Sequence, residues 1–247
     1  METRTDCCKW FGISCDANNH RVTTLTLVGQ PDQSNTSLSG TISPSLFKLH
    51  YLGEIYLQNL QNLSGPFPNL LFSLPNIEYI YFENSKLSGQ IPVNIGDLTR
   101  LVALSFAGNR FLGPIPSSIS KLTQLGQLKF GENLLTGTIP AGIQQLKKLT
   151  LSSWHPNMLK LHPHMGDDIP QNQLTGTVPD IFSTLTELRS LSLSHNKFFE
   201  KIPSTISALA PKLIMEMNVK GIESLDLSYN GFHLSEIPKW VTSLHLL

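Results

Sequence analysis

Between Leu101 and Pro140 the chain writes one pattern twice, and no other feature limits its fold so sharply. Leu101, Leu104, Phe106, Asn109, Phe111, Gly113, Ile115 and Pro116 are followed 24 residues later by Leu125, Leu128, Phe130, Asn133, Leu135, Gly137, Ile139 and Pro140. In Leu104-Ser105-Phe106 and Leu128-Lys129-Phe130 apolar and polar residues alternate, so a short strand would have one apolar face and one free face. Asn109 and Asn133 fall where the chain must turn, and a side-chain amide there can bond backbone groups that the turn leaves unpaired. The Gly-x-Ile-Pro tail fits a second extended stretch, because proline fixes its own φ and pushes the residue before it toward extended geometry.

One such unit cannot bury its apolar side alone, so neighbours must stack on it. The spacing L-x-x-L-x-L-x-x-N-x-L, repeated at a period of roughly 20 to 29 residues, is the signature of a leucine-rich repeat solenoid. The expected fold is therefore an α/β solenoid: a parallel β-sheet on the concave face, with short 3-10 or helical turns on the convex side. A length of 247 residues sets no obstacle, since each coil contacts only its neighbours.

The residue after the isoleucine of each tail, or after the phenylalanine or valine in its place, serves as a ruler: Ser43, Pro68, Pro92, Pro116, Pro140, Pro179, Pro203 and Pro238. This divides the chain into a partial amino-terminal cap (1–24), regular repeats (25–149), an irregular insertion (150–171) and further repeats (172–247). The insertion keeps no repeat grammar and carries Pro156, Pro163 and Pro170, so it reads as a disordered loop or as unspliced coding sequence. Two repeat beginnings read as fused, or one as deleted, near 211–222, and no carboxy-terminal cap follows. In the coil around Leu63, Gln61 reads as the occupant of the asparagine slot; in the next, Ser85 does, with Asn84 one place early.

Eighteen basic and eighteen acidic residues leave no net charge, which argues against broad attraction to nucleic acid or to a membrane surface. No run of about 18 apolar residues occurs, so no membrane-spanning helix is expected in this chain. Met1 to Asp6 is charged and polar, unlike a signal peptide. Cys7, Cys8 and Cys15 lie together, and adjacent cysteines rarely pair. A Cys8–Cys15 bridge with Cys7 left over is one reading; three reduced thiols of a cytosolic protein is the other. Trp10, held by such a bridge, is expected to cover the open end of the first coil.

The run Cys7-Cys8-Lys9-Trp10-Phe11-Gly12-Ile13-Ser14-Cys15, then Arg21-Val22-Thr23-Thr24-Leu25-Thr26-Leu27, then repeats ending L-x-G-x-I-P, resembles the plant-specific leucine-rich repeat ectodomains. In particular it is similar to the small secreted proteins related to polygalacturonase inhibitors. That resemblance implies an extracellular, cell-wall location and an upstream cysteine as the partner of Cys7. It further implies a chain without its signal peptide and half its cap.

No P-loop, G-x-G-x-x-G run or G-x-S-x-G elbow appears, so neither a cofactor nor an enzyme activity is expected. His155, His162 and His164, near Asp167 and Asp168, have permissive metal spacing but read as a solvated loop. Glu83 and Glu132 read as solvated charges rather than a catalytic pair. The alternation instead frees a concave face for a protein ligand, with Tyr56, Gln58, Tyr79, Tyr81, Glu83, Lys129 and Glu132 as its expected contacts. Tyrosines bury much area at little entropic cost, so Tyr56, Tyr79 and Tyr81 form the leading patch. Ala103 and Ser105, being small, are expected to contribute least. Asn35-Thr36-Ser37 and Asn62-Leu63-Ser64 are sequons for N-glycans. By resemblance the partner is a pathogen polygalacturonase; the alternatives are a receptor-like ectodomain that binds a peptide or co-receptor, and a wall-associated carbohydrate-binding protein.

Overall fold

A computed structural model describes residues 6–29, 38–153, 172–181, 184–209 and 224–233. Each regular coil contributes one strand to a nine-stranded sheet and a second strand to an eight-stranded ladder. The first sheet starts antiparallel, with Ile13–Cys15 against Val22–Val28, and is parallel from there on. Its later strands are Glu54–Gln58, Tyr79–Glu83, Ala103–Ser105, Gln127–Lys129, Leu151–Ser153, Ser190–Ser192 and Ser224–Asp226. Register advances one repeat at a time: Ile55 meets Ile80, Ile80 meets Leu104, and Leu104 meets Leu128. This is the expected solenoid.

The alternation explains the core. Ile55, Leu57, Ile80, Phe82, Leu104, Phe106, Leu128 and Phe130 all point inward and are buried. Phe106 is stacked between Phe82 and Phe130 at centroid distances of 6.2 and 5.5 Å, and Phe111 packs beside it at 5.1 Å. Short 3-10 turns close the back of each coil, each driving one apolar residue inward: Phe47, Leu71, Ile95, Ile119 and Ile143.

Asparagines lock coil to coil. Asn109 Oδ1 accepts from the Leu87 amide at 3.1 Å, while its Nδ2 donates to the carbonyls of Phe82, Phe106 and Ala107. Asn133, Asn172, Asn196 and Asn230 repeat the first contact with the amides of Phe111, Leu135, Leu174 and Phe198. A buried amide so bonded satisfies backbone groups that apolar burial would orphan. Leu57 pairs with Phe82, so three residues beyond it Leu60, not Gln61, holds the slot, and it is 3% exposed. Its neighbour Asn59 instead accepts from Asn84 Nδ2 at 2.9 Å, forming a second, outer rung.

Two columns of positive φ run along the solenoid. One is the glycine of the tail, from Gly40 to Gly176, with Glu200 (φ 65) in its last described place. The other lies just before the asparagine slot: Asn59, Asn84, Gly108, Glu132, His195 and Tyr229, with φ between 51 and 70.

Two further expectations change. Trp10 does not cover the first coil: it is 56% exposed and Phe11 is 91% exposed. The antiparallel strand Ile13–Cys15 covers that end, pairing Ile13 with Leu25. Leu151–Ser153, at the start of the segment read as irregular, is a strand in register with Gln127–Lys129 and Ser190–Ser192. The rest of that segment from 154, the join near 211–222, Asn35 and the histidine cluster lie outside the described residues. Cys8 and Cys15 form a disulfide with Cα atoms 5.6 Å apart, and Cys7 is a free thiol. No helix among the described residues is long and apolar enough to cross a membrane.

Candidate protein-binding face

On the outer side of the sheet, the strands Glu54–Gln58 and Tyr79–Glu83 place three pairs side by side: Glu54 with Tyr79, Tyr56 with Tyr81, and Gln58 with Glu83. The Tyr56 and Tyr81 rings stack with centroids 5.0 Å apart and planes at 13°. Tyr56 donates to a Glu54 carboxylate oxygen at 3.2 Å. Burial and then the Glu54 charge push its phenol up to about 12, and burial followed by the Glu83 charge raises Tyr81 in the same direction. Both phenols stay protonated donors at any physiological pH.

Glu83 is the hub of the patch. Its Oε2 accepts from Gln58 Nε2 at 2.6 Å, and its Oε1 accepts from Ser105 Oγ at 2.5 Å and lies 3.9 Å from Lys129 Nζ. One carboxylate thus ties four successive strands. Tyr81 Oη donates to Gln127 Oε1, bridging over the intervening strand Ala103–Ser105. These bridges bury Ala103 and Ser105, so the small residues form a floor beneath charged and aromatic side chains rather than a free outer surface.

Glu132 also departs from its reading as a solvated charge. Burial first, and the Glu83 charge second, push its carboxyl up to about 7. Its backbone lies in the second positive-φ column, and that column is the site feature sequence reasoning missed. An Asn-Asn-Gly series at fixed spacing was the signal, since these residues tolerate positive φ, but Glu132, His195 and Tyr229 hide it. Farther along, His195 and Tyr229 stack with centroids 4.0 Å apart. Asn62 starts the strand Asn62–Pro66 of the second ladder with its residue exposed, away from the tyrosine patch.

The tandem strands, asparagine ladder and free sheet face define the leucine-rich repeat class, and the Leucine Rich Repeat family profile matches residues 100–122, 187–209 and 221–244. The solved ectodomain of the receptor kinase SOBIR1 from Arabidopsis thaliana is 30% identical, with 61% of this chain and 82% of that one covered and a TM-score of 0.53. The chain belongs to the leucine-rich repeat family. Over 76 residues it is 30% identical to a polygalacturonase inhibitor of Vitis vinifera, covering 31% of this chain and 21% of the relative. The Arabidopsis receptor kinase HAESA, solved with the peptide hormone IDA and the co-receptor SERK1, aligns with a TM-score of 0.71 at 28% identity, covering 93% of this chain and 38% of that one. The matched stretches span a quarter or less of the curated relatives' own lengths.

Proposed function

We propose that the chain is a non-catalytic extracellular recognition module that receives a polypeptide partner on its concave sheet. The observation that carries this reading is the stacked Tyr56–Tyr81 pair framed by Glu54 and Glu83. The strands bury their apolar side chains on the other face, so these residues are free of packing duty, and tyrosines are common anchors of protein interfaces. Similarity to polygalacturonase inhibitors supports a cell-wall-degrading polygalacturonase as the partner and the plant cell wall as the location, with inhibition by obstruction of the enzyme's substrate cleft. N-glycans on Asn35 and Asn62 belong to the same reading.

The test is capture of a purified fungal polygalacturonase by the immobilised protein, compared with the Tyr79→Ala, Tyr81→Ala double variant. Capture that falls at least about tenfold supports the patch, as expected when interface tyrosines are truncated; equal capture by the variant removes it. A second reading, a receptor-like peptide-binding ectodomain, draws on the neighbours solved with peptide hormones. Saturable binding of an extended peptide without any binding of polygalacturonase would favour it.

A further inference from the structure

We propose a second binding site at the back of the solenoid: the groove between the turns Asn69–Ser73 and Ile95–Asp97 takes a neutral, proline-rich segment of a partner polypeptide in the polyproline II conformation. The site is separate from the tyrosine patch and does not rest on the function proposed above.

A local departure from the repeat opens this groove. The 3-10 turns Asn69–Ser73, Ser117–Lys121 and Ala141–Gln145 each have five residues, but Ile95–Asp97 has three. Pro92, Val93 and Asn94 are left outside the shortened turn, and Val93 is 80% exposed. Phe72 has Gly96 as its counterpart 24 residues on, so no side chain at that place in the next coil rises to meet its ring. A larger residue is barred there, because a Cβ on Gly96 would lie 1.9 Å from the Ser118 carbonyl oxygen. Between the coils a cavity of about 460 Å³ remains, open to solvent and within the size range of small-ligand sites. Its floor is fixed: Phe67 is buried, with its ring 5.8 Å from that of Phe72 and 5.7 Å from that of the core residue Phe106.

The lining selects the occupant. None of the residues around the groove carries a charge, so an ionic ligand would lose water and gain no counter-charge. Pro66, Phe67, Phe72, Pro92 and Val93 supply apolar walls, and Asn69, Gln90 and Asn94 supply exposed amides. Those three side chains make no hydrogen bond among the described residues; Asn94 stands directly before the turn Ile95–Asp97 and does not cap it. Each is free to donate two N–H groups to a ligand. A polyproline II segment answers both features: its carbonyls have no internal partner, and its rings recur on one face every three residues, about 9.3 Å. An α-helix keeps its carbonyls bonded to itself, and a neutral sugar leaves the five apolar residues unmatched. Proline also fixes φ before binding, so little conformational freedom is lost.

The probe is the capped peptide acetyl-hexaproline-amide, titrated into the whole protein and followed by NMR, beside a capped Gly-Ser hexapeptide and cellohexaose. We expect saturable shifts at the Val93 and Asn94 amides and the Phe72 ring, with the Gly-Ser peptide at least about tenfold weaker because it is neither pre-ordered nor apolar. Val93→Glu should weaken hexaproline binding at least about tenfold by setting a charge against apolar rings. Asn94→Ala and Gln90→Ala should each weaken it several-fold, the scale of one hydrogen bond. All three positions are exposed, and thermal unfolding checks that each variant is folded. The Tyr79→Ala, Tyr81→Ala double variant should bind hexaproline as the native protein does. No binding of hexaproline, equal binding of the Gly-Ser peptide, tighter binding of cellohexaose, or shifts confined to other coils would overturn the proposal. Loss of hexaproline binding in the tyrosine double variant would move the site to the concave face and overturn it as well.

Discussion

Replacing Glu132 with glutamine removes one titrating proton from the concave face while keeping side-chain length and backbone. In the folded chain the carboxyl is pushed up to about 7, against an ordinary 4.5, by burial and by the Glu83 charge. Between those two values the folded state holds a proton that the unfolded state has released. The sign follows: stability is greatest below about pH 4.5 and is lost as pH rises toward 7. At about 1.36 kcal/mol for each pH unit, the ceiling is about 3 kcal/mol, which partial exposure to solvent reduces to about 2. Urea unfolding of the native protein and of Glu132→Gln, run from pH 4 to pH 8, checks this. The two should be close at pH 4, and the variant should be more stable by about 2 kcal/mol at pH 8. Glu83→Gln should move the upper end of the native protein's loss to lower pH, and only by the smaller electrostatic share, because burial remains. A constant difference between native and Glu132→Gln from pH 4 to pH 8 would refute the reasoning.

Asn109→Ala removes an acceptor for the buried Leu87 amide and a donor to three carbonyls, so it should destabilise the fold by about 3 kcal/mol in urea titrations. Ser85→Ala, at the equivalent place one coil earlier, breaks one hydrogen bond to the Glu83 carbonyl and should cost less than about 1 kcal/mol. Glu200 sits at φ 65 where six earlier coils carry glycine. Glu200→Gly should therefore raise stability by about 0.5 to 1 kcal/mol, measured by the shift in thermal midpoint; a fall would show that its side chain matters more than the strained backbone.

The repeat was legible because its periodicity and its burial have one cause. Leu104, Phe106, Leu128 and Phe130 are apolar where the strand faces inward, and they are buried there. Asn109 and Asn133 were legible as turn residues, though their bonds to the preceding coil depend on stacking that no single repeat displays. The shift from Gln61 to Leu60 was not legible. Both Asn59 and Gln61 look suited to a polar slot, and only the Leu57–Phe82 pairing decides the register. On the candidate face, alternation placed Tyr56, Tyr79, Tyr81 and Glu83 on the outer side. It was silent on Ser105, because burial there comes from Glu83, Tyr81 and Lys129 reaching across strands, a property of side-chain length rather than of pattern. Trp10 was misjudged because an apolar side chain near a chain end suggests a lid, while backbone pairing of Ile13 with Leu25 had already filled that place.

The positive-φ column before the asparagine slot has a consequence for how such a surface can vary. Asn59, Asn84, Gly108, Glu132, His195 and Tyr229 share one backbone conformation despite having little chemistry in common. The coil dictates the conformation and leaves the side chain to choice. From coil to coil this position therefore changes its side chain while the backbone keeps its shape, except at Gly108, where a Cβ would press on the Asn84 backbone. Because the direction of each side chain is set by its own coil, a newcomer arrives already aimed.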